Sequence, residues 1–322
     1  MAYLERNKDK RLNPSKLVPN TNCIISVRAN YLTEPLSKAI TNLQDPNIGY
    51  ISRYAVGRDY HKVLRGKLRK LARKLNDKIG CFGYRAFTDS APVLEKALAR
   101  NSGLGWIGKH TNLINKKDGS MFFLGEIFTD LPLEANTELK KNHCGTCVQC
   151  IDICPTQAII SPYKLDARKC ISYLTIESKE SIPLELRPSI GNRIFGCDDC
   201  QLFCPWNRYA KLSTISDFTP RPELNNKTLS ELFLIKRDEF ELLTRGSAIR
   251  RISYEQWVRN LAIALGNAPG LSKTLSVLNS RKFFEDDMVR EHIEWAITQQ
   301  KTRLHGRAYK ISEDDQLFTD HT

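Results

Sequence analysis

The sequence predicts an α/β domain, then a cysteine-rich module, then a helical C-terminal part, and three observations carry that division. Strand-like and helix-like stretches alternate over residues 1–135, the pattern of an α/β unit. Two cysteine arrays, CGTCVQCIDICP at 144–155 and CDDCQLFCP at 197–205, fall within residues 140–210. From about residue 227 the apolar positions recur at helical spacing. The expected boundaries are 1–138, 139–212 and 213–305, with 306–322 as a polar, mobile tail.

The elements follow in order. NCIISVRANYL (22–32) is β-branched and apolar and reads as a strand. YHKVLRGKLRKLARKLNDKIG (60–80) places Leu64, Leu68, Leu71 and Leu75 at helical spacing, with eight Lys/Arg between residues 61 and 78. CFGYRAFTD reads as a second strand, a helix is expected from Ser90 to Asn101, and SMFFLGEIFTDLPL (120–133) as a third strand. RISYEQWVRNLAIALGNAPG (251–270) is an amphipathic helix ended by Gly and Pro. Cys23 and Cys81 lie in apolar, strand-like surroundings and are expected to be small core residues. GLGWIG at 103–108 has the spacing of a dinucleotide-binding turn, but that turn needs a strand before it and a helix after it. Here a helix precedes it and a polar turn with a hairpin follows. The glycines and the tryptophan still suggest close backbone approach to a large flat ligand.

Composition narrows the function. A chain of 322 residues, 41% hydrophobic, can bury a core divided over two or three domains. It has no apolar run long enough to span a membrane, and MAYLERNKDKRLNP has no apolar segment of a secretory signal. Ten cysteines without an export signal point to a reducing, cytoplasmic setting and to metal ligation in place of disulfides. The balance of 49 Lys+Arg against 36 Asp+Glu, net +13, favours a polyanionic partner, nucleic acid before lipid.

Cys144, Cys147, Cys150 and Cys154 fit C-x2-C-x2-C-x3-C-P, the spacing of ferredoxin-type 4Fe–4S ligation. In that arrangement the first three thiolates hold one cubane and the fourth reaches another. The second array, Cys197, Cys200 and Cys204, lacks its leading cysteine, and the isolated Cys170 can supply it. Two cubanes then balance: Cys144, Cys147, Cys150 and Cys204 hold one, and Cys154, Cys170, Cys197 and Cys200 the other. A zinc site needs paired C-x2-C knuckles around one ion and leaves both Cys-Pro endings unexplained. Two clusters make a path for single electrons, so something must receive them.

FTDSAPVLEKALARNSGLGWIGKHTNLIN, GSMFFLGEIFTDLPL, the eight-cysteine pattern, GNRIFGCDDCQLFCPWN and RGSAIRRISYEQWVRNLAIALGNA together resemble the epoxyqueuosine reductase family, from about residue 8 to about 300. The resemblance implies reduction of epoxyqueuosine to queuosine at the tRNA wobble position, with cobalamin fed by two 4Fe–4S clusters and an external electron donor. It implies a nitroreductase-like corrinoid-binding α/β (α+β) domain, a ferredoxin-like two-cluster module and a helical HEAT-like C-terminal part. A helical leader that the family usually carries is expected to be missing ahead of residue 1. It points to Asp89 in FTDSAP as the proton donor. From the residues alone, an Asp or Ser just before a Pro at a helix start is usually an N-cap; the resemblance implies that Ser90 caps while Asp89 faces the pocket. The resemblance further implies cobalamin contacts from Arg11, Ser52, Asp89, Leu113, Leu124, Ser172, Cys197 and Asp198, the two leucines being equally readable as core. Tyr60 and His61 open the basic helix near that pocket, and no histidine stands out as an axial cobalt ligand.

The basic helix and Arg245, Arg250, Arg251 and Arg259 suit tRNA phosphates, with Arg250 and Arg251, beside Tyr254 and Trp257, the preferred pair. A monomer off the membrane is expected. A corrinoid reductive dehalogenase would share the cofactors but has no use for net +13; a ferredoxin-like carrier needs neither corrin nor Asp89.

Overall fold

The structure, a computed structural model, describes residues 3–135 and 139–319. Three strands, β1 (Cys23–Asn30), β2 (Tyr84–Phe87) and β3 (Phe122–Thr129), form one sheet in the order β1-β3-β2. The alternation of strands and helices is there, but both outer strands run antiparallel to β3. The register sets Glu126 of β3 opposite Ser26 and Phe87.

Every residue of β3 is buried, because a helix covers each face. Side chains alternate along a strand, so odd and even positions meet different partners. Helix α1 (Tyr60–Ile79) takes the odd side, with Leu68 and Ala72 on Ile127, and Tyr60 and Leu64 near Phe123. Helix α2 (Glu95–Asn101) takes the even side, with Ala99 against Phe122 and Leu124. The buried stripe of α1 is Leu64, Leu68 and Ala72, an i, i+4, i+8 line, and Leu71 is left 38% exposed. Its cationic side chains face solvent, apart from half-buried Arg65.

Helix α2 starts at Glu95, later than Ser90. Pro92 has no N–H to give, and the N–H groups of Ala91 and Val93 turn back to the carbonyls of Asp89 and Ala91 at 2.8 and 2.7 Å. The glycines of GLGWIG serve packing within the hairpin Trp106–Ile107/Leu113–Ile114: a Cβ at Gly105 would lie 2.1 Å from the Ile114 carbonyl oxygen. Cys23 is half-buried in β1, but Cys81 is exposed and lies ahead of β2, so it is no core residue.

In the cysteine module, the short helices Gln149–Asp152 and Asp199–Leu202 pack together and carry Cys150 and Cys200 at matching places. Helix α3 (Tyr254–Asn267), closed at its start by a Ser253–Gln256 capping box, braces this module and is buried almost throughout. Helix α4 (Asp287–Thr319) packs on α3 and runs through most of the expected polar tail; residues 320–322 lie outside the described residues, as do 136–138 at the expected first boundary.

Arg259 corrects one expectation. It is 0% exposed, and its guanidinium donates to the carbonyls of Leu174, Ser178 and Glu180 at 2.8, 2.9 and 2.8 Å. It therefore clamps the segment after Cys170 and meets no phosphate. Beside it Asn260 donates to Thr175 and Ile194 carbonyls at 2.8 and 2.9 Å. Arg259→Leu is expected to cost on the order of 3–5 kcal/mol, because buried carbonyls lose charged donors together. A thermal melt should show it, with the salt dependence of tRNA binding unchanged.

Candidate active site

A cavity of about 1110 Å³ lies between the sheet domain and the cysteine module. Arg11, Tyr60, His61, Asp89 and Glu95 border it from one side of the chain, and Cys170, Ser172 and Tyr173 from the module. Asp89 stands where the chain turns left-handed, at φ 53°, a region Asp tolerates better than most residues. Its side chain is 59% accessible because it faces the cavity.

Three neighbours fix that carboxylate. The Tyr60 hydroxyl donates to Asp89 Oδ2, and His61 Nε2 lies 3.4 Å from the same oxygen. His61 Nδ1 is 2.8 Å from Asp59 Oδ1, so the imidazole bridges two carboxylates. The Tyr60 ring stacks on Phe123 and on His61, with centroids 4.2 and 4.1 Å apart. The hydrogen bond with His61 holds Asp89 below the usual carboxylate range, against the opposing effect of burial. For His61, burial works downward, but the bonds to Asp89 and Asp59 outweigh it and raise the pKa. The imidazole thus bridges Asp59 and Asp89, and both carboxylates favour its protonated form.

Capping does not describe Asp89. Its carboxylate bonds to side chains, and α2 begins six residues later with Leu94 as an N-cap that makes no side-chain bond. Ser90 does not cap either; its hydroxyl donates to the Thr88 carbonyl at 3.4 Å.

Behind Asp89 lies a carboxyl pair that sequence reasoning missed. The Asp89 N–H donates to Glu95 Oε1. Glu126, on the even side of β3 and 0% exposed, turns its carboxyl to that of Glu95. Neither Glu126 oxygen meets an N–H or O–H donor among the described residues. Burial first, and then the charge of Asp89, raises both pKa values; the charge of Glu95 lifts Glu126 further, while the Asp89 N–H and the bond to Glu126 restrain Glu95, so the pair holds a proton at neutral pH. The visible signal was a lone acid inside SMFFLGEIF, an apolar strand with no basic partner. A carboxyl whose folded pKa is raised favours the folded state least at high pH. The unfolded chain ionises above about pH 4.5 while the folded one keeps its proton. Glu126→Gln is therefore expected to match the parent near pH 4.5 and to gain on it as pH rises, by about 1.4 kcal/mol per pH unit at most. Melts from pH 4.5 to 9 check this.

The cysteines are all unpaired as disulfides. Cys144, Cys147, Cys150 and Cys204 border a second cavity, of about 200 Å³. Cys154, Cys170, Cys197 and Cys200 form another neighbourhood: burial raises the Cys200 thiol most, and the charges of Cys170 and Cys154 add to it. Cys197 likewise feels Cys200, after burial and Asp199. The Ala158 N–H points at Cys154 Sγ, 3.2 Å away. Among the described residues no three His, Cys, Asp or Glu converge on a single-ion site, while Cys144, Cys147, Cys150 and Cys204 share the lining of one cavity.

The remaining expected contacts divide. Arg11, Asp89 and Ser172 line the large cavity. Ser52 and Asp198 meet each other away from it: Asp198, 1% exposed, accepts from Ser52 Oγ, from the Tyr50 hydroxyl at 2.7 Å and from the Arg53 N–H at 2.7 Å. This ties the loop between Cys197 and Cys200 to the sheet domain. Leu113 and Leu124 pack with Ala99 in the core, off the cavity lining. Arg250 is exposed, while Arg251 lines the cavity and pairs with Glu177, its Nε 3.1 Å from Oε1.

Comparison with known proteins adds three findings. Residues 143–207 match the 4Fe-4S double cluster binding domain, and residues 11–90 match the family described as epoxyqueuosine reductase QueG. The chain is 53% identical to the epoxyqueuosine reductase of Pseudomonas aeruginosa over 95% of its own length and 83% of that protein, and 51% identical to that of Escherichia coli over 94% and 79%. A solved epoxyqueuosine reductase with an epoxyqueuosine-modified tRNA-Tyr stem loop superposes with a TM-score of 0.82 at 29% identity, over 91% of this chain and 77% of that one.

Proposed function

This chain belongs to the epoxyqueuosine reductase family, and from that premise we propose that it reduces the epoxide of epoxyqueuosine at the tRNA wobble position to the alkene of queuosine. The observation that carries the reading is one cavity bordered both by Asp89, held against His61, and by Cys170 of the double-cluster module. Reduction of an epoxide to an alkene takes two electrons and two protons and releases the oxygen as water. The site must therefore deliver protons where the electrons arrive.

The large cavity fits a corrinoid. Its volume is ample, and Arg11 presents a buried Nε without a hydrogen-bond partner among the described residues. Arg11, Ser172 and Asp89 would hold the cobalamin. His61, the histidine on the lining, has both ring nitrogens turned to carboxylates and is thereby committed to positioning Asp89. When bound, the cobalamin supplies the strong nucleophile or reductant at carbon, and the clusters, held by the two sets of four cysteines, supply single electrons. Asp89 passes a proton to the departing epoxide oxygen, drawing it from His61, which Asp59 orients. Tyr60 and Glu95 hold Asp89 in place. The sheet domain corresponds to a nitroreductase-like fold and the C-terminal helices to a HEAT-like one, in a protein of the cytoplasm; among the described residues no helix is long and apolar enough to cross a membrane.

Exposed Arg250 and the solvent face of α1 are the tRNA-binding surfaces. Because Arg251 is engaged by Glu177 and borders the cavity, Arg250→Glu is the cleaner test. It is expected to weaken tRNA binding, spare cofactor loading and reduce the log–log salt slope by roughly 0.7–0.9 for a lost phosphate contact. Affinity unchanged at low salt would move the binding face elsewhere. The function itself is tested by expressing the chain in cells lacking their own epoxyqueuosine reductase. Queuosine should reappear in hydrolysed tRNA, and persistent epoxyqueuosine would defeat the proposal.

A further inference from the structure

His110 borders the cavity of about 200 Å³ shared by Cys144, Cys147, Cys150 and Cys204, and it is 3% exposed. The backbone N–H of Asn112 donates to its Nδ1 at 3.1 Å. Nδ1 is therefore an acceptor, and the ring carries its proton on Nε2. Burial holds the imidazole neutral, with its pKa pulled down to about 4. The Nε2–H has no partner among the described residues, which is costly for a buried donor unless something accepts its hydrogen. Lys109, next to it, is committed elsewhere: its ammonium donates to the Gly145 and Cys147 carbonyls at 2.7 and 2.8 Å and braces the cysteine loop. The indole N–H of Trp106 is also buried without a partner, in the apolar cluster that Trp106 shares with Cys144 and Cys204.

Resting on the reading that these four cysteines hold a 4Fe–4S cluster, we propose that His110 donates its Nε2–H to a sulfur of that cluster and so raises the cluster's reduction potential. Hydrogen bonds to cluster sulfurs stabilise the extra negative charge of the reduced state. The placement suits a purpose. Cys147 is exposed, so this is the cluster that meets an external donor, while Cys170 brings the other to the large cavity. A cluster that accepts electrons more easily at the outer end makes the module simpler to charge.

The test is a potentiometric titration of the purified, cluster-loaded protein followed by electron paramagnetic resonance, with iron counted in each sample. His110→Phe keeps a ring and removes the donor. It is expected to hold parental iron while one cluster's midpoint falls by a tenfold change in its reduction equilibrium, about 59 mV for one electron. The other midpoint should stay. His110→Gln, which offers an amide N–H, should lie near the parent. Two unchanged midpoints in a fully loaded His110→Phe protein overturn the proposal. If His110→Phe fails to load, His110→Leu, smaller and equally without a donor, decides: one midpoint lowered tenfold supports the hydrogen bond, and two parental midpoints overturn it. Failure of the cluster reading itself would look different, as a parent without cluster iron.

Discussion

Cys170→Ser is expected to leave about four irons per chain where the parent holds about eight, and to abolish turnover. Cys170 stands alone in sequence, between the two arrays, yet it lies close enough to Cys154 for the two thiols to influence each other's charge. It also opens the helix Ile171–Ile176 and borders the large cavity. In the proposed pairing it is the point at which the second cluster meets the large cavity. Losing it removes a ligand and cuts the electron path at its last step. Iron that stays near eight would show that Cys170 is not a ligand and that the pairing of the arrays is different.

Asp89→Asn is expected to lower single-turnover conversion by about 10²–10⁴-fold, the usual contribution of general acid catalysis. Asn accepts the left-handed backbone as readily as Asp, so the N–H bond to Glu95 and the loop should survive. The amide has no acidic proton for the epoxide oxygen. Clusters, cobalamin binding and tRNA affinity should therefore be parental, and excess reductant keeps electron supply from masking the chemistry. A rate within about threefold of the parent would leave Asp89 as a positioning group and the acid unidentified.

What the sequence made legible was local. Cysteine spacing is a covalent ruler, so the division of the eight cysteines into two sets could be drawn up before any coordinates, and each set has its own neighbourhood in the fold. The three strands of the sheet and the helices α1 and α3 announced themselves by periodicity, but the hairpin begins within GLGWIG, pairing Trp106–Ile107 with Leu113–Ile114, and α4 continues where a polar tail was expected. What could not be read depends on long-range register. The antiparallel order of the sheet decides that Glu126 faces α2, and only then do Glu126, Glu95 and the Asp89 N–H line up. Arg259 looked like a solvent cation on an amphipathic helix; the cysteine module packs over that face, and its carbonyls claim the guanidinium. Leu71 and Ala72 traded places for a similar reason: the line of contact with β3 follows i, i+4, i+8 and takes the alanine. Asp89 itself was ambiguous until the late start of α2 removed the capping role.

The central claim is that this cavity carries out epoxide reduction on tRNA, and one measurement addresses it directly. Protein loaded with both clusters and cobalamin is mixed with tRNA bearing epoxyqueuosine under excess reductant, and the nucleosides are weighed by mass spectrometry after a single turnover. The account predicts loss of epoxyqueuosine matched mole for mole by gain of queuosine, with the cobalamin-free protein inert. Epoxyqueuosine left intact by fully loaded protein that still binds the tRNA would contradict it.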